Sequence, residues 1–418
     1  MNKKPLSGIK ILDFTRLLPG PMCTLHLADM GAEVIKIEDL TFGDYARQVS
    51  SVGGQQNSGE GQRTNSIGGQ QIRAGVNQNS DFFKSINRNK SSLAVDLTKE
   101  EGQIVVRKLA ETADIIVESF RPGVADKLGI GYERLRMINP GLIYCAITGY
   151  GQTGPWKDKA GHDINFCAST GVLDRKGKFP FLPNFQISDI VGGTLNATMG
   201  ILAALVRQKT SGEGQYLDVA IMDGVLAHST LALAQINNKS EDFLTGDCPC
   251  YTTYETSDSK FMALGAIEVK FWERFCNAVG RMDLISSHTL ETGASGARAE
   301  RLHGELTTLF KSQTRQYWTD KLKDVDCCVS PVLSLEEAIS TEQVKERNML
   351  LNAIKVNTGN SCTEDAPRQF TLPVKFSGFD FETTMPAPLH GEHTEKILSA
   401  LRYSQIEITE LRNKKIIL

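Results

Sequence analysis

Short apolar segments alternate with segments of helical spacing along the first third of the chain. Apolar side chains at helical intervals predict helices over residues 22–31 and 99–113. Runs rich in Val, Ile and Leu predict five strands, at 9–14, 32–38, 91–97, 114–120 and the second half of 134–151. Strands that alternate with helices in this way predict an α/β fold with a doubly wound parallel sheet.

This alternation stops after residue 151. Residues 189–209 predict a long helix, and its apolar run, 191–206, contains Thr and Asn and is too short to span a membrane comfortably. We therefore expect a buried helix there. Residues 216–236 open as a strand and continue as a helix. A hairpin and three further helices are predicted at 251–267, 268–280, 314–324 and 388–401.

These elements predict two domains and a connecting helix. Residues 1–220 and 350–418 would form a large Rossmann-like domain, residues 221–240 a linker helix, and residues 241–345 a small α+β domain. The last predicted helix would return to the large domain. Residues 48–80 are rich in Gly, Gln, Ser and Asn and cannot bury much apolar surface, so they predict a mobile surface loop.

Charge and cysteine usage exclude several classes of protein. The chain has 46 basic and 49 acidic residues among 418, a balance that gives no sign of a nucleic-acid partner. Its 9 cysteines are scattered, and the close pairs, Cys248 with Cys250 and Cys327 with Cys328, have no second pair at zinc-site spacing. Reduced thiols and no metal site are expected. The termini carry no secretory, peroxisomal or retention signal, which favours a cytoplasmic protein without a membrane partner.

Common nucleotide-binding and nucleophile motifs are absent or lack their context. Residues 149–154, GYGQTG, match a dinucleotide fingerprint, but Pro155 follows and no apolar helix comes next, so a flexible turn is the better interpretation. The sequence has neither a P-loop nor a G-x-S-x-G nucleophile elbow. His390 and His393 lie near a helix start without further ligands, which favours capping over metal binding.

Three segments place a titratable side chain beside apolar residues and glycine: GHDINF (161–166), ISDIVGG (187–193) and GAIEVKF (265–271). Read singly, His162, Asp189 and Glu268 are each typical of a helix cap or a first helical turn. Read together, they predict a proton-transfer site. Histidine is suited to accept a proton near neutral pH, and a second base on the opposite face could act on the other stereoisomer.

The chain resembles the family III CoA-transferases over almost its whole length. The likeness is carried by residues 6–39, 87–97, 113–135, 140–155, 213–225 and 391–398. Within that family, AGHDINF, ISDIVGG and the segment 251–272 resemble the α-methylacyl-CoA racemase branch. Transferase members use an aspartate as nucleophile and generally carry no His in the GHD position.

The resemblance implies an activity and a role for each residue. His162 and Asp189 would remove and return the α-proton of an α-methylacyl-CoA thioester through an enolate. Glu268 would orient His162, and the backbone at Asp163 would stabilise the thioester oxygen; one such donor is typically worth ~3–4 kcal/mol. No metal or separate cofactor is implied, because CoA is part of the substrate.

The resemblance also implies where CoA binds and how subunits assemble. The CoA-binding residues would be Arg88, Ala94, Val95, Asp96, Leu97, Arg121 and the closing loop formed by Gly161, Asp163, Ile164, Asn165 and Phe166. A basic residue that some racemases carry after the second strand is Asp39 here. Family dimers interlock, and Glu268 of one subunit would then meet His162 of the other.

Two other functions remain open at this point. A CoA-transferase would use Asp189 as a nucleophile and pass CoA between two acids through an acyl-aspartyl anhydride. A non-catalytic CoA-binding protein would bind acyl-CoA and show neither reaction. Exchange of the α-proton with D2O in the absence of an acceptor acid distinguishes a racemase from both.

Overall fold

The computed structural model describes most of the chain, and the described residues are 4–49, 65–67, 70–72, 79–174, 183–239, 246–288, 296–351 and 367–418. They divide into two compact units. Unit 1 takes its described residues from Met1–Leu173, Leu182–His228 and Arg347–Leu418, and unit 2 takes its own from Asp174–Phe181 and Ser229–Glu346.

The strands in chain order are β1 Lys10–Asp13, β2 Glu33–Glu38, β3 Asn65–Ile67, β4 Gln70–Ile72, β5 Lys90–Ala94, β6 Ile115–Glu118, β7 Ile143–Thr148, β8 Gln215–Ala220, β9 Tyr251–Glu255, β10 Phe261–Gly265, β11 Val329–Pro331, β12 Leu350–Leu351 and β13 Gln369–Phe370.

The α-helices are α1 Pro19–Asp29, α2 Asp81–Asn87, α3 Glu100–Ala110, α4 Val124–Lys127, α5 Tyr132–Ile138, α6 Asp163–Ser169, α7 Asn196–Ser211, α8 Ile221–His228, α9 Thr230–Asn238, α10 Val269–Val279, α11 Ala297–Lys311, α12 Arg315–Leu322, α13 Leu335–Ile339, α14 Glu342–Glu346, α15 Thr394–Ala400 and α16 Gln405–Asn413. A π-helical segment, Ser188–Leu195, leads into α7, and 3₁₀ turns occupy Tyr45–Gln48 and Met282–Ser287.

Unit 1 is built on a six-stranded sheet in the order β5-β2-β1-β6-β7-β8, with every neighbouring pair parallel. Alternate side chains of its strands enter two different cores, as the two-residue period of a strand requires. In β6, for example, Ile115 and Val117 pack with α1 and α7 on one face, and Ile116 packs with α3 and α5 on the other. The predicted α/β architecture with a parallel sheet is confirmed.

The chain order reverses between β1 and β6. The strands β2 and β5 lie on one side of β1, whereas β6, β7 and β8 lie on the other. Connections therefore leave in opposite directions at the carboxyl ends of β1 and β6, which opens a crevice there. Such crevices are where open α/β sheets bind ligands.

The structure corrects the sequence analysis at three elements. The parallel sheet does not end at residue 151, because β8 pairs with β7 as a sixth strand. The predicted final helix is followed by another, α16, which contributes Ile408 and Leu411 to the core. Most of the predicted loop 48–80 lies outside the described residues; within it, β3 and β4 form an antiparallel pair.

The long helix Ser188–Ser211 is buried on one face only. Ile201 and Leu205 pack in the core of unit 1, whereas Leu195, Met199 and Val206 are exposed. Among the described residues, it is the one helix whose length and apolar content would suffice to cross a membrane. The prediction of a buried helix is therefore confirmed for the face that carries Ile201 and Leu205 and wrong for the face that carries Met199 and Val206.

Unit 2 contains the predicted hairpin, in which β9 and β10 pair antiparallel, and β11 extends it to three strands. The predicted helices α10 and α12 are confirmed and bury Trp272, Phe275 and Trp318. Together with Phe310 of α11, these aromatic side chains form the core of unit 2. Glu268, the N-cap residue of α10, lies just after this sheet.

Candidate active site

The segment that carries His162 is fixed by one aromatic side chain. Phe166 in α6 is buried, and its ring packs edge-on against Tyr150 with the centroids 5.2 Å apart. Gly149 and Gly161 flank the ring so closely that a Cβ atom at either position would lie 2.5 or 2.7 Å from its Cε1 atom. Both glycines are therefore required for this packing, which holds the start of α6 against the carboxyl end of β7.

His162 occupies the N-cap of α6, as its place before a helix start predicted. Its backbone N–H donates to Asn165 Oδ1 at 3.0 Å, and the Asn165 N–H donates to the His162 carbonyl oxygen at 2.8 Å. The imidazole is exposed. The N–H groups of Asp163 and Ile164 begin the helix and have no acceptor within it, as in any first helical turn.

Asp163 joins α6 to the segment that carries Asp189. Its Oδ1 atom accepts the backbone N–H groups of Ser188 at 2.7 Å and of Asp189 at 3.0 Å. The Cys167 Sγ atom lies 2.8 Å from Ser188 Oγ and adds a second link. Asp163, which follows His162 in sequence, thus holds the backbone of Asp189 and links the two segments into one cluster.

This arrangement changes the role of Asp189. A helix-capping role was one interpretation of its position, but the structure gives that role to Asp163, and Asp189 lies inside the first π-helical turn. Among the described residues, none donates an N–H to its carboxyl to stabilise a negative charge. Burial, with the Asp163 carboxylate as a second cause, raises the pKa of Asp189 from 3.8 to about 7. A carboxyl with that pKa can both accept and return a proton near neutral pH.

The glycines of ISDIVGG allow the π-helical segment to approach its neighbours closely. A Cβ atom at Gly192 would overlap the carbonyl oxygen of Ile221 at the start of α8, and one at Gly193 would lie 2.9 Å from Pro19 Cβ in α1. A π-turn widens the helix locally and is frequently found at functional sites. These contacts fix the turn that carries Asp189.

Glu268 belongs to unit 2. It is exposed, and its carbonyl oxygen accepts the N–H groups of Phe271 and Trp272 at 3.0 and 3.1 Å. Its side chain makes no capping hydrogen bond to α10. Capping of α10 therefore does not account for the carboxylate at this position.

Arg88 and Arg121, the two predicted CoA-binding cations, have different surroundings. The Arg88 guanidinium is 2 % exposed, pairs with Asp29 at 2.6 Å and donates to Gln369. Its charge is neutralised within unit 1, so it presents no free cation to a ligand. Arg121 follows the carboxyl end of β6, is exposed, and has no ion pair among the described residues.

The predicted CoA-binding segment 94–97 begins at the end of β5 and is largely covered by the end of the chain. The N–H groups of Ala94, Val95 and Asp96 donate to Thr394 Oγ1, the Glu38 carbonyl oxygen and the Ile416 carbonyl oxygen. Three of its four backbone donors are therefore already used. Leu97 is half-buried, and Asp96 is engaged with Thr98 at the start of α3.

Arg16 is a further cation that sequence reasoning missed. It follows β1, its backbone N–H donates to Ser119 Oγ just after β6, and its guanidinium lies 2.7 Å from Asp39. A basic side chain thus stands beside the position where Asp39 replaces a basic residue of some racemases. The parallel pairing of β1 with β2 reveals this contact, because Arg16 and Asp39 each follow one of these two strands.

The remaining sequence motifs have structural roles. GYGQTG forms a turn in which Gly151 and Gly154 both have φ of 82°. His390 Nε2 lies 2.7 Å from the Asp39 carbonyl oxygen, and His393 precedes α15. Within the described part of the chain, no group of three or more His, Cys, Asp or Glu side chains is arranged to hold a metal ion.

Comparison with known proteins gives one family. Residues 6–394 match the model of CoA-transferase family III. The chain is 32 % identical to α-methylacyl-CoA racemase of Homo sapiens over 99 % of this chain and 97 % of that protein. It is 30 % identical to succinyl-CoA:glutarate CoA-transferase of Mus musculus over 98 % and 89 % of the two chains. The crystal structure of a CaiB/BaiF family protein from Brucella suis superposes with a TM-score of 0.75 and 26 % identity, covering 96 % of this chain and 100 % of that one.

Proposed function

The chain belongs to CoA-transferase family III, and on that basis we propose that it is an epimerase that interconverts the R and S forms of α-methylacyl-CoA thioesters. The observation that carries the proposal is the cluster in which Asp163 links His162 to Asp189, whose pKa is raised to about 7. A neutral base paired with a carboxylate base suits a reaction that must run in both directions.

The reaction would proceed by removal and return of one proton. Neutral His162 takes the α-proton of one enantiomer, the C–H bonding electrons pass into the thioester carbonyl, and an enolate forms. Protonated Asp189 then delivers its proton to the opposite face of the same carbon. The other enantiomer uses the two residues in reversed roles, with Asp189 starting as carboxylate and His162 as imidazolium. Atoms and charge balance without a redox partner.

The enolate oxygen needs donors that are in place before the proton leaves. We assign that role to the first-turn N–H groups of Asp163 and Ile164, which have no acceptor inside α6. Their position follows from the packing of Phe166 between two glycines. Binding energy from the distant CoA portion would then serve to place the α-carbon beside these groups.

We place the CoA phosphates at the crevice between β1 and β6, where Arg16 and Arg121 are the nearby cations. Arg88 is left out of this set because of its buried pair. Replacing Arg121 by Met is expected to raise the KM for acyl-CoA about tenfold or less, with unfolding stability unchanged, since an exposed cation contributes to ligand binding rather than to the core. An unchanged KM would exclude Arg121 from the CoA site.

The relatives support a second candidate function. Transferases match this chain at an identity similar to that of the racemases. In a transferase Asp189 would attack an acyl-CoA carbonyl carbon, release CoA thiolate and form an acyl-aspartyl anhydride. His162 would then have no chemical role, and Asp189 would have to be ionised.

Proton NMR of an α-methylacyl-CoA in D2O distinguishes the two. Loss of the α-proton signal without an acceptor acid supports the epimerase, whereas CoA transfer to an added acid without exchange supports the transferase. His162→Ala is expected to abolish exchange that starts from one enantiomer while acyl-CoA binding persists. Normal exchange of both enantiomers in that variant would refute the proposed role of His162.

We also propose that the protein works as an interlocked homodimer in the cytoplasm. Leu195, Met199 and Val206 lie on one exposed face of the long helix, an apolar surface that a second copy could cover. In such a dimer Glu268 of one subunit would orient His162 of the other.

Subunit mixing tests this arrangement. A dimer of one His162→Ala chain and one Glu268→Ala chain would contain one intact site and one site lacking both groups. Random reassociation of the two inactive variants should therefore restore about a quarter of the wild-type activity. If each subunit holds a complete site of its own, the mixture stays inactive.

A further inference from the structure

A cavity of about 300 Å³ in unit 1 is not used by the proposed epimerase. It lies beside the end of β6, under α4 and α5. Its lining contains carboxyl, amide and phenol groups but no Lys, Arg or His. The polar lining side chains on which the argument depends are Glu118, Asp126, Tyr132, Tyr144, Gln152 and Tyr216.

Three tyrosine rings form one wall of this cavity. Tyr144 and Tyr216 are directly paired across β7 and β8, and their rings lie nearly parallel with centroids 5.7 Å apart. Tyr132, from α5, packs 5.8 Å from the first ring and 5.3 Å from the second. Clustered aromatic rings attract cations through the negative charge of their faces, and such clusters recognise organic ammonium ions.

Two polar groups on the lining have no hydrogen-bond partner in the described protein. They are the hydroxyl of Tyr144, a residue only 1 % exposed, and the side-chain nitrogen of Gln152. Buried polar groups are normally paired. The Tyr144 hydroxyl can donate or accept, whereas the Gln152 nitrogen can only donate, so a ligand that pairs with both groups carries an acceptor.

The carboxyl groups on the lining lack a counter-charge. Glu118 is 4 % exposed and accepts the Phe120 N–H at 2.6 Å, and neither it nor Asp126 has an ion pair among the described residues. Glu133, which also lines the cavity, differs because it pairs with Arg136 at 2.7 Å. Asp126 is exposed to solvent, so Glu118 is the buried carboxyl to which a cation in the cavity would supply a counter-charge.

We propose that this cavity binds a small organic ammonium ion that also carries an acceptor oxygen. The ammonium group would lie against the tyrosine rings and the carboxylates of Glu118 and Asp126, and the oxygen would accept the Gln152 amide proton. The site goes beyond the proposed epimerase, because neither α-proton removal nor the assigned CoA contacts involve these side chains.

Binding should strengthen as pH rises. Burial raises the pKa of Glu118 to about 8, so the empty cavity holds a largely protonated carboxyl at neutral pH. A permanently charged ligand favours the ionised form, and its affinity should rise about tenfold between about pH 7 and about pH 9. Burial raises the pKa values of the neighbouring Tyr144, Tyr216 and Cys145, so these groups stay neutral over this range. The other charged groups that face Glu118 are Asp126 and Asp218.

Titration calorimetry on the full chain tests the proposal, with choline as the probe. The control is its neutral carbon isostere, in which a tert-butyl group replaces the trimethylammonium group. We expect saturable binding of one choline per chain, about tenfold tighter at the higher pH, and at least about tenfold weaker binding of the isostere. No saturation by about 10 mM choline, or equal affinity for the isostere, would overturn it.

Two variants locate the site. Glu118→Gln keeps the side-chain shape and removes the charge, so it should weaken choline binding about tenfold at the higher pH and abolish the pH dependence. Glu133→Gln is the matched control, because that lining carboxylate is already paired with Arg136, and it should bind like the wild type. Unchanged binding by folded Glu118→Gln would refute the assignment. If that variant does not fold, the pH and isostere measurements on the wild type still decide the proposal.

Discussion

Asp189→Asn is expected to make the protein more stable at alkaline pH while removing its activity. The π-helical turn holds a half-buried carboxyl near the Asp163 carboxylate, and the pKa of Asp189 rises from 3.8 to about 7. The folded state therefore binds this proton more tightly than the unfolded state does. The contribution of this group to the free energy of unfolding is fully present below about pH 4 and is lost as the pH rises through about 7.

The size of the effect follows from the two pKa values. The raised pKa lowers the free energy of unfolding by roughly 4 kcal/mol at about pH 8, and by roughly 2 kcal/mol at about pH 5, relative to an aspartate whose pKa stays at its ordinary value in the folded state. An amide of the same shape carries no charge at either pH. The Asn variant should thus gain up to roughly 4 kcal/mol at the higher pH and about half of that at the lower.

Urea unfolding followed by far-ultraviolet circular dichroism at the two pH values measures the difference. Asp158→Asn, at an exposed aspartate, serves as the control and should change stability little at either pH. If Asp189→Asn raised the free energy of unfolding equally at both pH values, or lowered it at the higher pH, the reasoning would be refuted. The α-proton exchange assay on the same samples shows whether the stabilised variant is inactive.

Three further substitutions test how the site and the fold are held. Asp163→Asn keeps the acceptor oxygen but removes the negative charge near Asp189, which should lower the pKa of Asp189. The acid limb of the pH–rate profile should then move to lower pH for the enantiomer on which Asp189 acts as base. A limb that stays in place would contradict this. Gly192→Ala should destabilise the protein by about 1–3 kcal/mol or more in denaturant unfolding, because the added Cβ overlaps a backbone carbonyl. Gly200→Ala is the control: its added Cβ would have its nearest neighbour at 3.7 Å, so it should be neutral or stabilising by up to about 1 kcal/mol. Arg88→Met should cost roughly 3–5 kcal/mol by leaving a buried carboxylate unpaired, and the folded variant should keep its KM for acyl-CoA.

The local residue pattern was enough to predict five of the six strands in the main sheet of unit 1. The strands β1, β2, β5, β6 and β7 were each predicted from a segment rich in Val, Ile or Leu, as is typical of strands buried on both faces of a parallel sheet. β2 and β5 also bury polar side chains, among them Lys36 and Lys90. The sixth strand was harder to assign. In β8, QYLDVA, the burial is partial and the pattern mixed, and only its pairing with β7 places it in the sheet.

The candidate site likewise has a part that the sequence predicted and a part that only the fold revealed. His162, Asp189 and Glu268 could be selected from the sequence because each is a titratable residue beside glycine and apolar neighbours, a combination that is easy to see. The bond from Asp163 to the backbone of Asp189 could not, since the two residues are 26 positions apart and nothing in either segment indicates the other.

The sequence by itself determined which elements form and which side chains are capable of proton transfer, because both depend on residue type and local spacing. The tertiary structure decided the protonation, ion pairing and exposure of the charged side chains. It gave the capping role to Asp163 and left the Asp189 carboxyl with no donor from the described part of the chain. It also neutralised Arg88 inside the core while leaving Arg121 exposed. Proton affinity and ion pairing depend on the distance to distant charges and on exclusion of water, and only the folded chain sets those quantities.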